Sequence, residues 1–324
     1  MSSRDPPRVS SEGSRVTLWV VTDLARPADR KPAPLARGDG VAIVAPASPF
    51  ERERFERGLA ALWKIGLEPR FSEGLFAKHP PETGHLAGDD ERRIEELRIA
   101  FTDPSAKALV LARGGYGALR LRLGTQEVPE KLIVGYSDAT VLHELWARAG
   151  VPSIHGPMCT QLGEEPSALG RLEALLLGQA TGELSWQPSY ARGGRVEATL
   201  RGGNLATLAS LCGTPLQPQY AGCLVLLEDL NEPPYRLDRL LTQLLLAGAF
   251  DGARGFVIGD LVAPGEPLAG RPEVVAERLG KLGVPIVFGA PFGHAGRNQP
   301  VALGVPHALD AERGTLTPLA FPTR

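Results

Sequence analysis

The segment Ile133-Val134-Gly135-Tyr136-Ser137-Asp138-Ala139-Thr140 places a serine between an apolar run and a helical pattern. A strand, then Gly-x-Ser-x-small, then a helix is close to the nucleophile elbow, a sharp turn that lifts a serine hydroxyl above a sheet for attack on an acyl carbon. Ala139 stands where such elbows usually carry Gly. Both Gly135 and Ala139 are small, as the close approach of strand and helix demands. A helix starting at Asp138 aims free N–H groups at an anion formed beside Ser137. The same pattern also suits an ordinary strand-to-helix turn that Ser137 or Asp138 merely caps.

A serine nucleophile needs a base, and the base needs an acid to orient it. Six histidines are available. His79 and His85 sit in a Pro/Gly-rich loop, His143 lies on the helix after Ser137, His155 ends a short strand, and His307 lies in the C-terminal tail. His294 stands apart, within Gly289-Ala290-Pro291-Phe292-Gly293-His294-Ala295-Gly296-Arg297-Asn298, a loop directly after an apolar strand. A polar residue on a Gly-rich loop at the carboxyl end of a strand is where α/β sites are built. The acid candidate is Glu228, placed after the apolar run Leu224–Leu227 and before Asp229. Adjacent acids on an extended chain point to opposite sides, so one can face a histidine while the other faces backbone or solvent. A helix-capping pair ahead of Pro233-Pro234 is the competing reading.

Other chemistries are poorly served. Gly115-Tyr116-Gly117 lacks the third glycine of a dinucleotide fingerprint, there is no phosphate-binding G-x-x-x-x-G-K-[ST] loop, and His143-Glu144 lacks a second histidine at 147. No nucleotide cofactor and no metal are expected. Cys159, Cys212 and Cys223 are isolated, as suits buried thiols in a reducing compartment. With 35 Lys+Arg against 37 Asp+Glu, the net charge of −2 offers no footprint for nucleic acid or an acidic membrane. No apolar run approaches the roughly 18 residues of a membrane span, and no clean signal cleavage site follows Val16–Val21. A cytoplasmic protein is expected.

These side chains need a scaffold, and 324 residues suggest about two domains. Residues 1–38, rich in Ser, Arg and Pro, read as a disordered extension. Val41–Ala45 opens the ordered chain as a buried strand, followed by a helix with Phe55, Leu59, Leu62 and Trp63 on one face. A helix over Asp89–Phe101, a strand over Ala108–Ala112, a Gly-rich turn, a strand over Leu132–Gly135 and a helix over Asp138–Ala149 continue the alternation. Such alternation marks a doubly wound α/β layer. The first domain is expected over 39–165, a linker over 166–194, and a second domain over 195–324. That second half predicts strands at Cys223–Leu227, Gly255–Ile258 and Pro285–Phe288, with helices at Arg236–Leu246 and Glu273–Leu282.

Taken in order, several segments resemble the LD-carboxypeptidase family of serine peptidases, which includes muramoyltetrapeptide carboxypeptidases and microcin C self-immunity peptidases. They are Val44-Ala45-Pro46-Ala47-Ser48-Pro49, Ala112-Arg113-Gly114-Gly115-Tyr116-Gly117, Gly135-Tyr136-Ser137-Asp138-Ala139-Thr140, Ile154-His155-Gly156-Pro157, Gly202-Gly203-Asn204-Leu205, Leu227-Glu228-Asp229-Leu230, Pro234-Tyr235-Arg236-Leu237-Asp238-Arg239, and Gly293-His294 with Asn298. The resemblance covers about residues 39–320. It implies a flavodoxin-like first domain, similar to class I glutamine amidotransferases, and a second α/β domain that supplies Glu and His. It implies a triad of Ser137, His294 and Glu228, and an oxyanion hole of the Asp138 and Gly115 amides. It further implies a cytoplasmic homodimer without metal or cofactor, acting on a small peptide.

The leading expectation is hydrolysis of the bond that releases terminal D-Ala from murein tetrapeptides. A carboxypeptidase must hold a free carboxylate, which favours arginine; Arg113 and Arg236 lie in matching segments. A microcin-immunity-like activity on a peptidyl or aminoacyl nucleotide conjugate keeps the chemistry and changes the substrate, with Trp186 and Tyr190 as candidate walls for the base. A non-catalytic α/β ligand-binding protein is the alternative from another class, and intact Ser137, Glu228 and His294 stand against it.

Overall fold

The computed structural model describes residues 28–80, 84–262 and 272–324. Its first sheet has six strands in the order Val301–Leu303, Ser153–His155, Leu132–Gly135, Ala106–Leu111, Gly40–Val44 and Glu68–Arg70. All neighbours pair in parallel except Val301–Leu303, which runs antiparallel to Ser153–His155. The central strands are apolar and almost wholly buried, as a sheet covered on both faces requires. Helices Arg52–Lys64 and Pro166–Leu176 cover one face through Phe55, Leu62, Leu169, Leu172 and Leu176. Asp90–Thr102 and Thr140–Arg148 cover the other through Leu97, Phe101, Leu142 and Trp146. The Asp89 carboxylate caps its helix by accepting the Arg92 N–H at 2.8 Å.

The second sheet has eight strands, in the order Leu184–Ser185, Thr315–Pro318, Pro306–Asp310, Arg195–Asn204, Cys223–Leu230, Gly255–Val262, Ile286–Phe288 and Ala191–Arg192. Its four central strands, from Arg195–Asn204 to Ile286–Phe288, are parallel. Helices Pro234–Leu246 and Pro272–Leu279 pack on it through Leu237, Leu241, Leu244, Val275 and Leu279.

Several expectations change. Residues 1–27 of the expected disordered arm lie outside the described residues, but 28–38 are pinned: Ala28 donates to Gly304, Arg30 to Gly150 and Leu35 to Leu176, and the Leu35 side chain is buried. Within 166–194, the stretch expected as linker, Pro166–Leu176 is a helix packed on the first sheet's core, and 184–185 and 191–192 are edge strands of the second. Val301–Leu303 crosses back to extend the first sheet, a non-local pairing that no local pattern announces. Trp63 is 56% exposed because the buried stripe is carried by Phe55, Leu62 and half-buried Leu59, leaving position 63 at its margin. His307 is no tail residue: it lies buried in Pro306–Asp310, and burial drives its pKa down to about 4.

Candidate active site

Ser137 sits at the carboxyl end of Leu132–Gly135, in a single 3₁₀ turn, Ser137–Ala139, that runs into the helix Thr140–Arg148. Its φ is +62°, the left-handed region that a non-glycine residue enters only at some cost, of order 1–2 kcal/mol. A Cβ on Gly135 would stand 2.9 Å from that of Ala139, so strand and helix do approach as closely as the small residues suggested. Neither Ser137 nor Asp138 caps the helix. Instead Asp138 Oδ2 reaches across to accept the Ala118 N–H at 2.8 Å, tying the turn to the Gly-rich segment 113–117. Burial pushes this carboxyl up to about 6, against the Ala118 bond and the charge of Arg93.

The Gly-rich segment follows the neighbouring strand, Ala106–Leu111. Gly115 has φ +110° and packs against Ser48, whose Oγ accepts the Tyr116 N–H at 3.1 Å. Ser48 also donates its own N–H to Gly114 O at 3.2 Å. The Gly115 N–H has no acceptor among the described residues. As second residue of a 3₁₀ turn, Asp138 likewise carries an amide that the turn itself cannot satisfy. Gly114, which sequence reasoning did not single out, has an ordinary φ but no room: its Cβ would sit 3.1 Å from Ser137 Cβ and 3.3 Å from Ser137 Oγ. The doubled glycine was the available signal.

The second sheet supplies the other partners. The strand Cys223–Leu230 continues through Glu228 and Asp229 instead of ending before them. Their side chains do diverge. Asp229 accepts from Asn204 Nδ2 at 3.0 Å and from the Ala206 and Leu230 amides at 2.8 Å. Burial, reinforced by the Glu228 charge, lifts it to about 7. Glu228 is wholly buried, and its Oε2 lies 2.7 Å from His294 Nδ1. A carboxylate only accepts, so Nδ1 carries the hydrogen and a neutral imidazole keeps its lone pair on Nε2. Burial opposes ionisation of Glu228, but the histidines prevail and hold it at about 2. Burial likewise disfavours the His294 imidazolium, and the Glu228 bond and charge more than offset that, so its pKa lies above the ordinary value.

The histidine loop is fastened on both sides. Ala295 N–H donates to Asp260 Oδ2 at 2.7 Å, and Gly293 N–H to Asn298 Oδ1 at 3.3 Å. Gly293 has φ +120°, and a Cβ there would meet Asp260 at 2.9 Å. The imidazole packs on the Tyr136 ring, 4.7 Å between centroids, which sets it beside the residue preceding Ser137. No hydrogen bond joins Ser137 to His294 in this structure. Two of the three expected partners are therefore bonded to each other, and the imidazole packs on the residue that precedes the third.

His155 was overlooked. It is fully buried, with Nε2 4.0 Å from Glu228 Oε1, an electrostatic contact beyond hydrogen-bond length, and its ring lies edge-on to Tyr136. Its place at a strand end, within the resembling segment Ile154-His155-Gly156-Pro157, is the signal that marks it. His143 packs as a structural residue, accepting from Ser153 Oγ at 2.8 Å and donating to Gly135 O at 2.9 Å. Burial, then the neighbouring His155, brings it down to about 3.

A cleft of about 200 Å³ opens beside His294, lined among others by Arg54, Tyr136, Gln161, Glu164 and Asn298. Arg113 and Arg236 do not line it. Arg113 is exposed and donates to Pro49 O at 2.7 Å; Arg236 pairs with Glu232 at 2.8 Å. Nor do Trp186 and Tyr190 form walls for a base. Trp186 is buried and donates to Phe288 O at 3.0 Å, while Tyr190 packs edge-on against the Phe288 ring. Among the described residues no cluster of His, Cys, Asp or Glu could hold a metal ion, and no helix is long and apolar enough to cross a membrane.

Comparison with known proteins follows the two sheets. Residues 41–156 match the LD-carboxypeptidase N-terminal domain, and residues 197–309 match the LD-carboxypeptidase C-terminal domain. Murein tetrapeptide carboxypeptidase of Pseudomonas aeruginosa is 32% identical over 84% of this chain and 94% of its own. The crystal structure of muramoyltetrapeptide carboxypeptidase from Oxalobacter formigenes superposes with a TM-score of 0.76 at 27% identity, over 88% of this chain and all of that one. The microcin C7 self-immunity protein MccF, in complex with aspartyl sulfamoyl adenosine, shares the fold with a TM-score of 0.79 at 22% identity, over 91% of this chain and 99% of that one.

Proposed function

This peptidase belongs to the LD-carboxypeptidase family, and we propose that it is a serine carboxypeptidase releasing terminal D-Ala from murein tetrapeptides. In this reading Ser137 is the nucleophile, His294 the general base and Glu228 the acid that orients it. The observation that carries it is the buried Glu228–His294 bond, which leaves the Nε2 lone pair free on an imidazole packed against Tyr136, the residue before the strained Ser137.

His294 Nε2 takes the Ser137 proton as Oγ attacks the carbonyl of the scissile amide. Glu228 stabilises the imidazolium, and the Asp138 and Gly115 amides receive the oxyanion, each such donor contributing on the order of 3 kcal/mol. The imidazolium then protonates the leaving amine, D-Ala departs, and water repeats the sequence on the acyl-enzyme. Such a substrate puts the enzyme in peptidoglycan recycling, in the cytoplasm, and the family resemblance suggests a homodimer.

The test is release of D-Ala from a murein tetrapeptide by the wild type and by Ser137→Ala. The wild type is expected to release it, and the variant to lose at least about 10⁴-fold in kcat. Equal activity in the two would end the triad assignment. Parallel incubation with an aminoacyl sulfamoyl nucleotide, expected to remain intact, tests the substrate class.

A further inference from the structure

The cleft beside His294 has an arginine that no motif pointed to. Arg54 lies in the first turn of the helix Arg52–Lys64, directly after the loop that carries Ser48. That loop leaves the carboxyl end of the strand Gly40–Val44, at the same sheet edge as Ser137 and the Gly-rich turn. Tyr136 and His294, whose rings pack together, line the same cleft. The Tyr136 hydroxyl accepts from Gln161 Nε2 at 2.5 Å, which holds the ring against His294.

Among the described residues, Arg54 is the only arginine or lysine lining this cleft. Its Nη2 donates to Glu164 Oε1 at 2.8 Å, and half of each side chain is exposed, 50% and 53%. Exposed pairs of this kind contribute roughly 0–1 kcal/mol, so they exchange readily. A guanidinium carries five N–H donors in a planar fork, and Glu164 engages one of its nitrogens. The remaining donors suit a second carboxylate, bound through two parallel bonds. Arg113 and Arg236 are turned to Pro49 and Glu232 instead.

We propose that this cleft is the leaving-group subsite and that Arg54 is its carboxylate receptor, with Glu164 as the internal carboxylate that the substrate displaces. The inference rests on the proposed carboxypeptidase reading. His294 must hand its proton to the departing amine, so the departing residue sits on the His294 side of the scissile bond. Its terminal carboxylate is then carried into this cleft, which borders that imidazole and offers a guanidinium. Specificity for a free C-terminus follows, because a terminal amide cannot accept the charged bidentate pair.

The test compares the tetrapeptide acid with its C-terminal amide, using wild type, Arg54→Ala, Arg54→Lys and Glu164→Gln. Arg54→Ala is expected to raise KM for the acid by about 10- to 100-fold while changing KM for the amide less than about threefold. Arg54→Lys should recover part of the loss, and Glu164→Gln should lower KM for the acid. Calorimetric binding of the uncleaved acid to the Ser137→Ala protein, with and without Arg54→Ala, reads the same difference without turnover. Equal losses on acid and amide, or unchanged binding, would overturn the role of Arg54 even where wild type releases D-Ala. Absence of D-Ala release by the wild type would instead overturn the underlying carboxypeptidase reading.

Discussion

The two sheets hold their halves of the site by different means. At the proposed nucleophile end the backbone dominates: a serine at φ +62°, glycines with no space for a side chain, and a 3₁₀ turn whose first amides the turn cannot satisfy. At the proposed acid–base end side-chain electrostatics dominates: a fully buried carboxylate, a 2.7 Å bond to an imidazole, and a loop fastened by Asp260 and Asn298. The first end should therefore be sensitive to volume and conformation and indifferent to pH. The second should be sensitive to charge and tolerant of small changes in shape.

Among variants that keep the Ser137 hydroxyl, the largest effect is expected from Glu228→Gln, which keeps the shape and removes the charge. The loss in kcat should be on the order of 10³- to 10⁴-fold, since the imidazolium loses its counter-charge and the tautomer is no longer dictated. The sign of the pH effect follows from the cause. The carboxylate raises the His294 pKa, so its removal lowers that pKa. The acidic limb of the residual kcat/KM profile should move to lower pH. An unmoved limb would show that electrostatics does not set this end.

Gly114→Ala probes the other end. Its added methyl would press on Ser137 Cβ and Oγ at 3.1 and 3.3 Å without any backbone penalty, because the φ at 114 is ordinary. A loss in kcat on the order of 100-fold is expected, with the pH limb of the wild type retained. A shifted limb would break the division between the two ends. The smallest effect is in stability. Ser137→Gly should relieve the left-handed strain and raise Tm by on the order of 1–2 °C while abolishing turnover, as checked by thermal melting. A lowered Tm would place the cost of the turn elsewhere.

Much of this was legible along the chain because it is local. The Ser137 turn lies between a strand and a helix that follow directly, and Gly135 and Ala139 betray the close approach. Glu228 and Asp229 were harder. Two neighbouring acids look alike in sequence, and only the sheet decides that one faces His294 while the other is consumed by Asn204 and the Ala206 amide. Gly114 and His155 lie within segments that resemble the family and Arg54 lies in none, but nothing local sets any of the three apart, because their relevance comes from neighbours distant in the chain.

By itself, then, the sequence determined the alternation of strands and helices, the serine turn, the histidine loop and the family to which they belong, since hydrophobic period and glycine placement act over a few residues. Tertiary structure alone decided that Val301–Leu303 joins the first sheet, that residues 28–38 are pinned to its neighbours, and that Arg54 and not Arg113 or Arg236 borders the cleft. Those outcomes depend on which surfaces far apart in the chain bury one another, and packing of that kind leaves no periodic trace in the residues that take part.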